Sequence, residues 1–289
     1  MTGRAQEPKP LHTCGRKIRE GKLDPSALDI INPIALGGGL GVVVLVGILA
    51  FLALGRWLGQ RSIARHGIAP TPGIGSLEAA VFALLGLMIA FTFSGGLSRF
   101  DSRRQVVVQE ANAIGSAYLS IDLLAPSAQP GLREAMRAYA DSRIATYRKL
   151  PDIAAANAEV QRSHQLQSEL WSRAVAALRL PGTRAGTELV VFNALNEMFN
   201  VATSRVAATL IHPPSIIYWM LVALAVAAAL LAGYQTAGEK DYDWVHKIGF
   251  AAMVALTVYV IVDVEYPRLG LVRIDGIDRV LIDVREGMK

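Results

Sequence analysis

The chain has 289 residues, 52% of them hydrophobic and 18% charged, with a mean hydropathy of +0.36 and a formal net charge of +5. This is too apolar for an ordinary soluble domain of its length and too charged for a chain lying wholly within a bilayer, so both membrane and aqueous parts are expected. Its single cysteine, Cys14, excludes an internal disulfide framework.

A polar stretch of mixed charge runs through Asp29, so the first hydrophobic run begins too late for a simple cleaved signal peptide and reads as a retained anchor. A hydrocarbon core of ~30 Å takes about 20 helical residues, and the first run of that length is Pro33 to Gly55. Its "GGGLG" at 37–41 has no preceding strand and no following Lys-Ser/Thr. Close helix packing through Gly37 and Gly41 is the expected use, not phosphate binding. Arg56 to Arg65 then reads as a basic loop.

The second span is Gly73 to Leu97. It passes through "GLMIAFTFSGGLSRFDSRR" at 86–104 into a charged stretch with no proline or turn signal between. The helix is therefore expected to leave the membrane unbroken, loosened only at Ser94, Gly95 and Gly96, which are the hinge candidates. Val107, Ala111, Ile114, Tyr118, Ile121 and Ala125 recur at spacings of three and four, one apolar helical face. From Leu97 to about Leu124 this gives a projection on the order of 40 Å, ended by Pro126 and Pro130.

A helix is predicted from Gly131 to Lys149, with Leu132, Met136, Tyr139, Ile144 and Tyr147 on its apolar side. Another follows Pro151 and reaches Leu180, before the Pro181-Gly182 break. A fourth, from Thr187, carries Leu189, Phe192, Leu195, Phe199, Ala202 and Val206 inward and stops before "HPP" at 212–214. Asn112, Asn193, Asn196 and Asn200 are poor helix formers inside these helices and are read as buried register-setting residues. The acidic side chains are expected on solvated faces.

The third span is Pro214 to Gly233 and the fourth Val245 to Val264, where Lys247 snorkels and Asp263 and Glu265 reach the interface. "YPRLGLVRI" after it breaks the helix at Pro267 and reads as an extended tail. The expected fold is an all-α membrane protein: four transmembrane helices with a cytoplasmic helical bundle inserted between spans two and three. The divisions are a tail at 1–32, spans one and two at 33–97, the bundle at 98–212, spans three and four at 213–266 and a tail at 267–289.

Lys17, Arg19, Lys22, Arg99, Arg103, Arg104, Arg205, Arg268, Arg273 and Arg279 flank one side of the spans, against Arg56, Arg61, Arg65, Lys240 and Lys247 on the other. The heavier side is expected to be cytoplasmic, with both termini and the bundle. At that interface Arg99, Asp101, Arg103 and Arg104 form a charge cluster, with Asp263 and Glu265 at the same depth as partners.

The five histidines, His12, His66, His164, His212 and His246, have no metal-ligand spacing, and no hydrolase, zinc-protease or kinase motif appears. Neither metal, cofactor, enzymatic activity nor a nucleic-acid partner is expected. Glu78, near the outer end of span two, is either a first-turn acid favoured by the helix dipole or a carboxylate at a pore mouth.

"LLGLMIAFTFSGGLSRFDSRRQVVVQEANAIGSAYLSIDLLAP" with "VEYPRLGLVRI" resembles the bacterial bestrophin-like domain family over about residues 35 to 285. More distantly it is similar to the bestrophins proper, pentameric ion channels whose second span lines a hydrophobic neck and continues into an aromatic-Asp-Arg segment. Phe100-Asp101 resembles that step, with Ser102 where the Arg stands. Aligning the second spans on Arg99, the resemblance implies neck positions at Ala83, Leu87 and Phe91. Glu78 and Leu87, nine residues apart, point to opposite sides of a regular helix, so a pore facing Glu78 is lined instead by Phe82, Leu85, Ile89 and Phe93.

The resemblance implies a homo-oligomer, a ring of about five chains in the bacterial inner membrane, passing small inorganic ions. A membrane-anchored scaffold whose bundle binds a partner explains the same helices without a pore. A transporter is the weakest reading, because interrupted helix pairs and mid-membrane ionisable residues are missing.

Overall fold

The computed structural model describes residues 39–66, 73–150, 152–238, 244–266, 272 and 275–289. Cys14, His12, Gly37, Lys17, Arg19, Lys22, Lys240, Arg268, Arg273 and the tail at 1–32 lie outside the described residues. Among those described there is no strand. The helices are α1 (Leu40–His66), α2 (Gly73–Ser120), α3 (Gln129–Arg148), α4 (Ile153–Leu178), α5 (Thr187–Leu210), α6 (Ser215–Gln235), α7 (Trp244–Glu265) and α8 (Asp275–Gly287). Four helical stretches, containing α1, the first part of α2, α6 and α7, are long and apolar enough to cross a bilayer.

The chain divides into two compact units, one built on Val106–Leu210 and Val280–Lys289 and the other on the described parts of Ser26–Gln105 and Ile211–Arg279. In the second unit α1 packs along α6 and α7. The core there holds Ile48 and Leu52 of α1, Leu85 of α2, Leu221, Ala228 and Ala229 of α6, and Ala251, Val254 and Ile261 of α7. α1 and α6 approach backbone to backbone. A Cβ on Gly55 would fall inside the Leu230 carbonyl, and one on Gly233 inside that of Leu52. Close packing was expected at Gly41 instead, but a Cβ there meets the Tyr259 ring at an ordinary 3.9 Å. The α1 glycines in contact with α6 backbone, Gly55 and Gly59, lie about four and five turns further along, where α6 presents small residues.

α1 also continues through Arg56 to His66, where a loop was expected. That segment contains no proline, its Gly59 packs against Ala237 and Tyr234, and Arg61 lies 5.2 Å over the Trp57 ring, an arrangement suited to an interfacial helix end.

In the first unit, α3, α4 and α5 bury the faces their periodicity marks. Leu132, Met136 and Tyr139 of α3 and Leu195 and Met198 of α5 surround Ile114 and Ala117 of α2, with Leu170 of α4. Asp152 caps α4 by accepting from the Ala155 amide at 2.9 Å. Leu189, assigned to the inner face of α5, is 67% exposed, and Val191 takes the buried place at 2%. Asn112, Asn193, Asn196 and Asn200 are all exposed, so within one chain they fix no buried register.

The largest departure is at the C-terminal end, where the expected extended tail contains α8. This helix carries Leu281 and Val284 on one side, with Met288 just past its end, and Leu281 and Met288 are buried in the core. Arg285 donates to both carboxylate oxygens of Asp141 of α3, at 2.8 and 2.9 Å, and the Tyr118 hydroxyl donates to the Lys289 carbonyl. Pro267 does break the helical pattern in the sequence, but a fresh amphipathic repeat begins after it.

Candidate functional site: two faces of one helix

α2 is helical without interruption from Gly73 to Ser120, through Ser94, Gly95 and Gly96. Its two sides differ sharply in environment. Leu87 and Phe91 are 52% and 66% exposed, and Ala83 is exposed beside them. Phe82, Leu85 and Ile89 pack into the core of their own unit, Phe82 edge-on to Phe250 with ring centroids 5.4 Å apart. Phe93, on the same side as Phe82 and Ile89, is 39% exposed, so that side is packed only as far as Ile89. Glu78 is of intermediate exposure. Of the two candidate pore faces, the one carrying Leu85 and Ile89 is already occupied by packing within the chain.

Thr92 turns its hydroxyl back to the Met88 and Ile89 carbonyls, at 2.8 and 3.0 Å, one turn before the glycine pair. Gly96 is buried, and a Cβ on it would sit 3.8 Å from Val264 and 3.9 Å from the Glu265 carboxylate. Gly96 thus lets α2 and the end of α7 come close, while Ser94 stays on the exposed side.

Glu265, 1% exposed, is the centre of the charge cluster. It accepts from Arg99 Nε and an Arg99 terminal nitrogen at 2.9 and 2.7 Å, and from Arg103 at 3.2 Å. Arg103 also donates to the backbone carbonyls of Glu265, at 2.7 Å, and Ile211, at 3.1 Å. His212 Nδ1 lies 3.2 Å from the same carboxylate, and its ring stacks on Tyr266. Forked pairing to a desolvated carboxylate fixes geometry as well as charge.

Of the six residues assigned to the interface cluster, Arg99, Arg103 and Glu265 are brought together. Asp101 and Arg104 form a separate exposed pair at 3.4 Å. Asp263, 3% exposed, accepts from the Val272 amide at 2.9 Å. His212 was not singled out, because its partner is 53 residues away.

The first unit holds a second buried network. Glu110, fully buried on α2, accepts from Arg143 of α3 and Arg205 of α5, each at 2.5 Å. The Arg205 guanidinium lies 3.6 Å over the Tyr147 ring, and Arg143 reaches the Tyr147 hydroxyl at 3.3 Å. Burial by itself would raise the Glu110 carboxyl, but the two guanidiniums outweigh it and hold it below the ordinary carboxylate value. Burial pushes the neighbouring Tyr139 hydroxyl up to about 12.

These networks correct two expectations. Acidic residues of the helices between spans two and three were expected on solvated faces, yet Glu110 and Glu159 are buried. Arg205 was counted among the charges that orient the protein in the membrane, yet it is 3% exposed and paired with Glu110 inside the bundle. Among the described residues no group of three or more His, Cys, Asp or Glu side chains is placed to hold a metal.

The Bestrophin-like domain model matches residues 46–276. Three solved structures illustrate the likeness in fold. Two are point mutants of a bacterial bestrophin homologue from Klebsiella pneumoniae. One is 16% identical, covering 84% of this chain and 99% of that chain with a TM-score of 0.59, and the other is 15% identical, covering 84% and 99% with a TM-score of 0.60. The third, described as a membrane protein, is 15% identical and covers 83% and 98%, with a TM-score of 0.59. No curated protein matches the chain. With the family model spanning most of its length and four helices suited to a bilayer, the chain belongs to the Bestrophin-like domain family.

Proposed function

We propose that this chain assembles with copies of itself, in a ring of about five, into an ion channel of the bacterial inner membrane, with α2 of each copy lining the pathway. The ring size follows the family resemblance. Ala83, Leu87 and Phe91 form the constriction, an apolar collar that gates by excluding water. Both termini and the unit built on Val106–Leu210 lie on the cytoplasmic side, and α1, the first part of α2, α6 and α7 cross the bilayer.

The observation that carries this reading is the division of α2. Leu87 and Phe91 are left uncovered by their own chain, while Leu85 is 3% exposed and packed. The uncovered face continues into Ser94 and Ser98, both exposed. The face is apolar at Leu87 and Phe91 and turns polar at Ser94 and Ser98, the order that an apolar collar opening into a water-filled vestibule requires. Glu265 holds the opposite side of α2 through Arg99 and Arg103, so the helix that meets the pathway is anchored from behind.

Two measurements test the proposal. Detergent-corrected particle mass should correspond to about five chains, and a monomer or dimer stable across mild detergents leaves no central axis and makes the anchored scaffold the better reading. Reconstituted Phe91→Ala should conduct more than the parent, because removing the ring lowers the barrier to wetting. An unaltered current in an intact oligomer removes Leu87 and Phe91 from the gate.

In this reading Ser94, Gly95 and Gly96 let the lower part of α2 tilt the collar. Gly96→Ala stiffens that turn by about 1 kcal/mol of helix preference, and the space beside Gly96 accepts a methyl group, whereas a Cβ on Gly95 would stand 3.3 Å from the Arg99 guanidinium and disturb the anchor. Open probability should change while particle mass stays the same. Unchanged gating removes the hinge from these residues.

A further inference from the structure

The charges along α2 are not distributed evenly around it. Taking Leu87 as the reference direction and 100° per residue, Phe91, Ser94, Ser98, Asp101 and Gln105 all fall within about 40° of it. Each of these side chains is exposed. On this face between Leu87 and Gln105 the single charged residue is Asp101.

Every arginine on this stretch of α2 is directed elsewhere. Arg99 and Arg103 point more than about 100° away, into the Glu265 cluster. Arg104 lies about 100° to one side, where it reaches Asp101 at 3.4 Å and sits 5.7 Å from the Phe100 ring. Its side chain is 48% exposed and that of Asp101 is 53% exposed. A pair this solvated is weak and leaves the carboxylate free to act on ions in solution.

We propose that Asp101 sets the charge preference of the pathway. Resting on the channel reading above, this inference makes small monovalent cations the transported class. Repetition around the ring places several carboxylates at one level, one turn and a half below the last glycine of the hinge. The water there is bounded by Ser98 and Gln105 hydroxyl and amide groups, which carry no net charge to oppose them. A ring of carboxylates raises the local cation concentration and depresses that of anions. Arg104, off the face, tempers the field without cancelling it.

The test is the reversal potential of the full-length protein in planar bilayers under a KCl gradient. The parent should reverse on the potassium side. Asp101→Asn should move the reversal potential toward the chloride value, since Arg104 is then the nearest unopposed charge, and Asp101→Glu should retain the parent value. Arg104→Gln should move it further toward potassium. These shifts should be larger in 0.1 M than in 1 M salt, because screening shortens from about 10 Å to about 3 Å.

Preserved current with an unmoved reversal potential in Asp101→Asn overturns the assignment and leaves the channel standing. Absence of current above an empty bilayer, in both the parent and Phe91→Ala, overturns the channel and the assignment with it. The Asp101→Glu control separates charge from any structural effect of the substitution, because a structural role leaves Asp101→Asn and Asp101→Glu alike in ion preference.

Discussion

Glu110→Ala should destabilise the protein by about 3–5 kcal/mol, the usual cost of removing one partner from a buried charged pair, and here two guanidiniums lose their counter-charge together. Arg143 and Arg205 are 2% and 3% exposed and have no route to bulk water without opening α3 or α5. For a chain of this size the melting temperature should fall on the order of 10 °C, with protease cleavage appearing first between α2 and α5. Glu110→Gln keeps the shape and loses the charge, so it should fall between the parent and the alanine variant. A melting curve for Glu110→Ala that overlays the parent's would show that the two arginines find other partners. Acid has the same target. The folded carboxyl titrates below its ordinary value of 4.5, so its contribution is complete above that value and is lost as the pH falls through the depressed one. Glu110→Gln should remove that part of the acid sensitivity.

The second large effect is expected in the α1–α6 pair. A Cβ on Gly233 would stand 2.9 Å from the Leu52 carbonyl carbon and closer still to its oxygen, and one on Gly55 would meet Leu230 in the same way. Backbone cannot rotate aside as a side chain does, so Gly233→Ala must push the helices apart along the whole contact. Overpacking of this kind costs about 1–3 kcal/mol where the surroundings can shift, and two helices sharing reciprocal contacts have less room to shift. The yield of monodisperse protein in detergent should fall steeply for Gly233→Ala and Gly55→Ala. Gly47→Ala, where nothing lies within 4 Å of the new methyl, and Gly41→Ala, at 3.9 Å from Tyr259, should behave like the parent. Equal yields across all four variants would mean that α1 and α6 do not meet as closely as described.

The helices were legible in the sequence wherever a face is buried against neighbours in the same unit. Leu132, Met136 and Tyr139 repeat every three or four residues because α3 presents one side to the core. The uninterrupted α2 was legible for the opposite reason, since nothing in "FSGGLSRFDSRR" stops a helix. Buried charge left no local trace. Glu110 meets arginines 33 and 95 residues away, and Glu265 meets Arg99 across 166 residues. Only the folded chain distinguishes them from the solvated Glu169–Arg173 pair, which has an ordinary i, i+4 spacing. α8 was hidden by what precedes it, because the β-branched residues around Pro267 favour extended backbone and the repeat of Leu281, Val284 and Met288 is short. Both possible faces of α2 carry large apolar residues in sequence, and packing of Leu85 and Phe82 is what tells them apart.

The placement of α8 bears on how the protein is made. Leu281 and Met288 complete the core around Ile114, Met136 and Leu170, yet the ribosome reaches them only after α6 and α7 have been synthesised. The unit built on Val106–Leu210 must therefore wait, with part of its apolar interior open to water, until both later spans have been inserted. A chain that stalls or is cut before Leu281 presents that open interior to chaperones and proteases, so synthesis through Met288 is what closes this core.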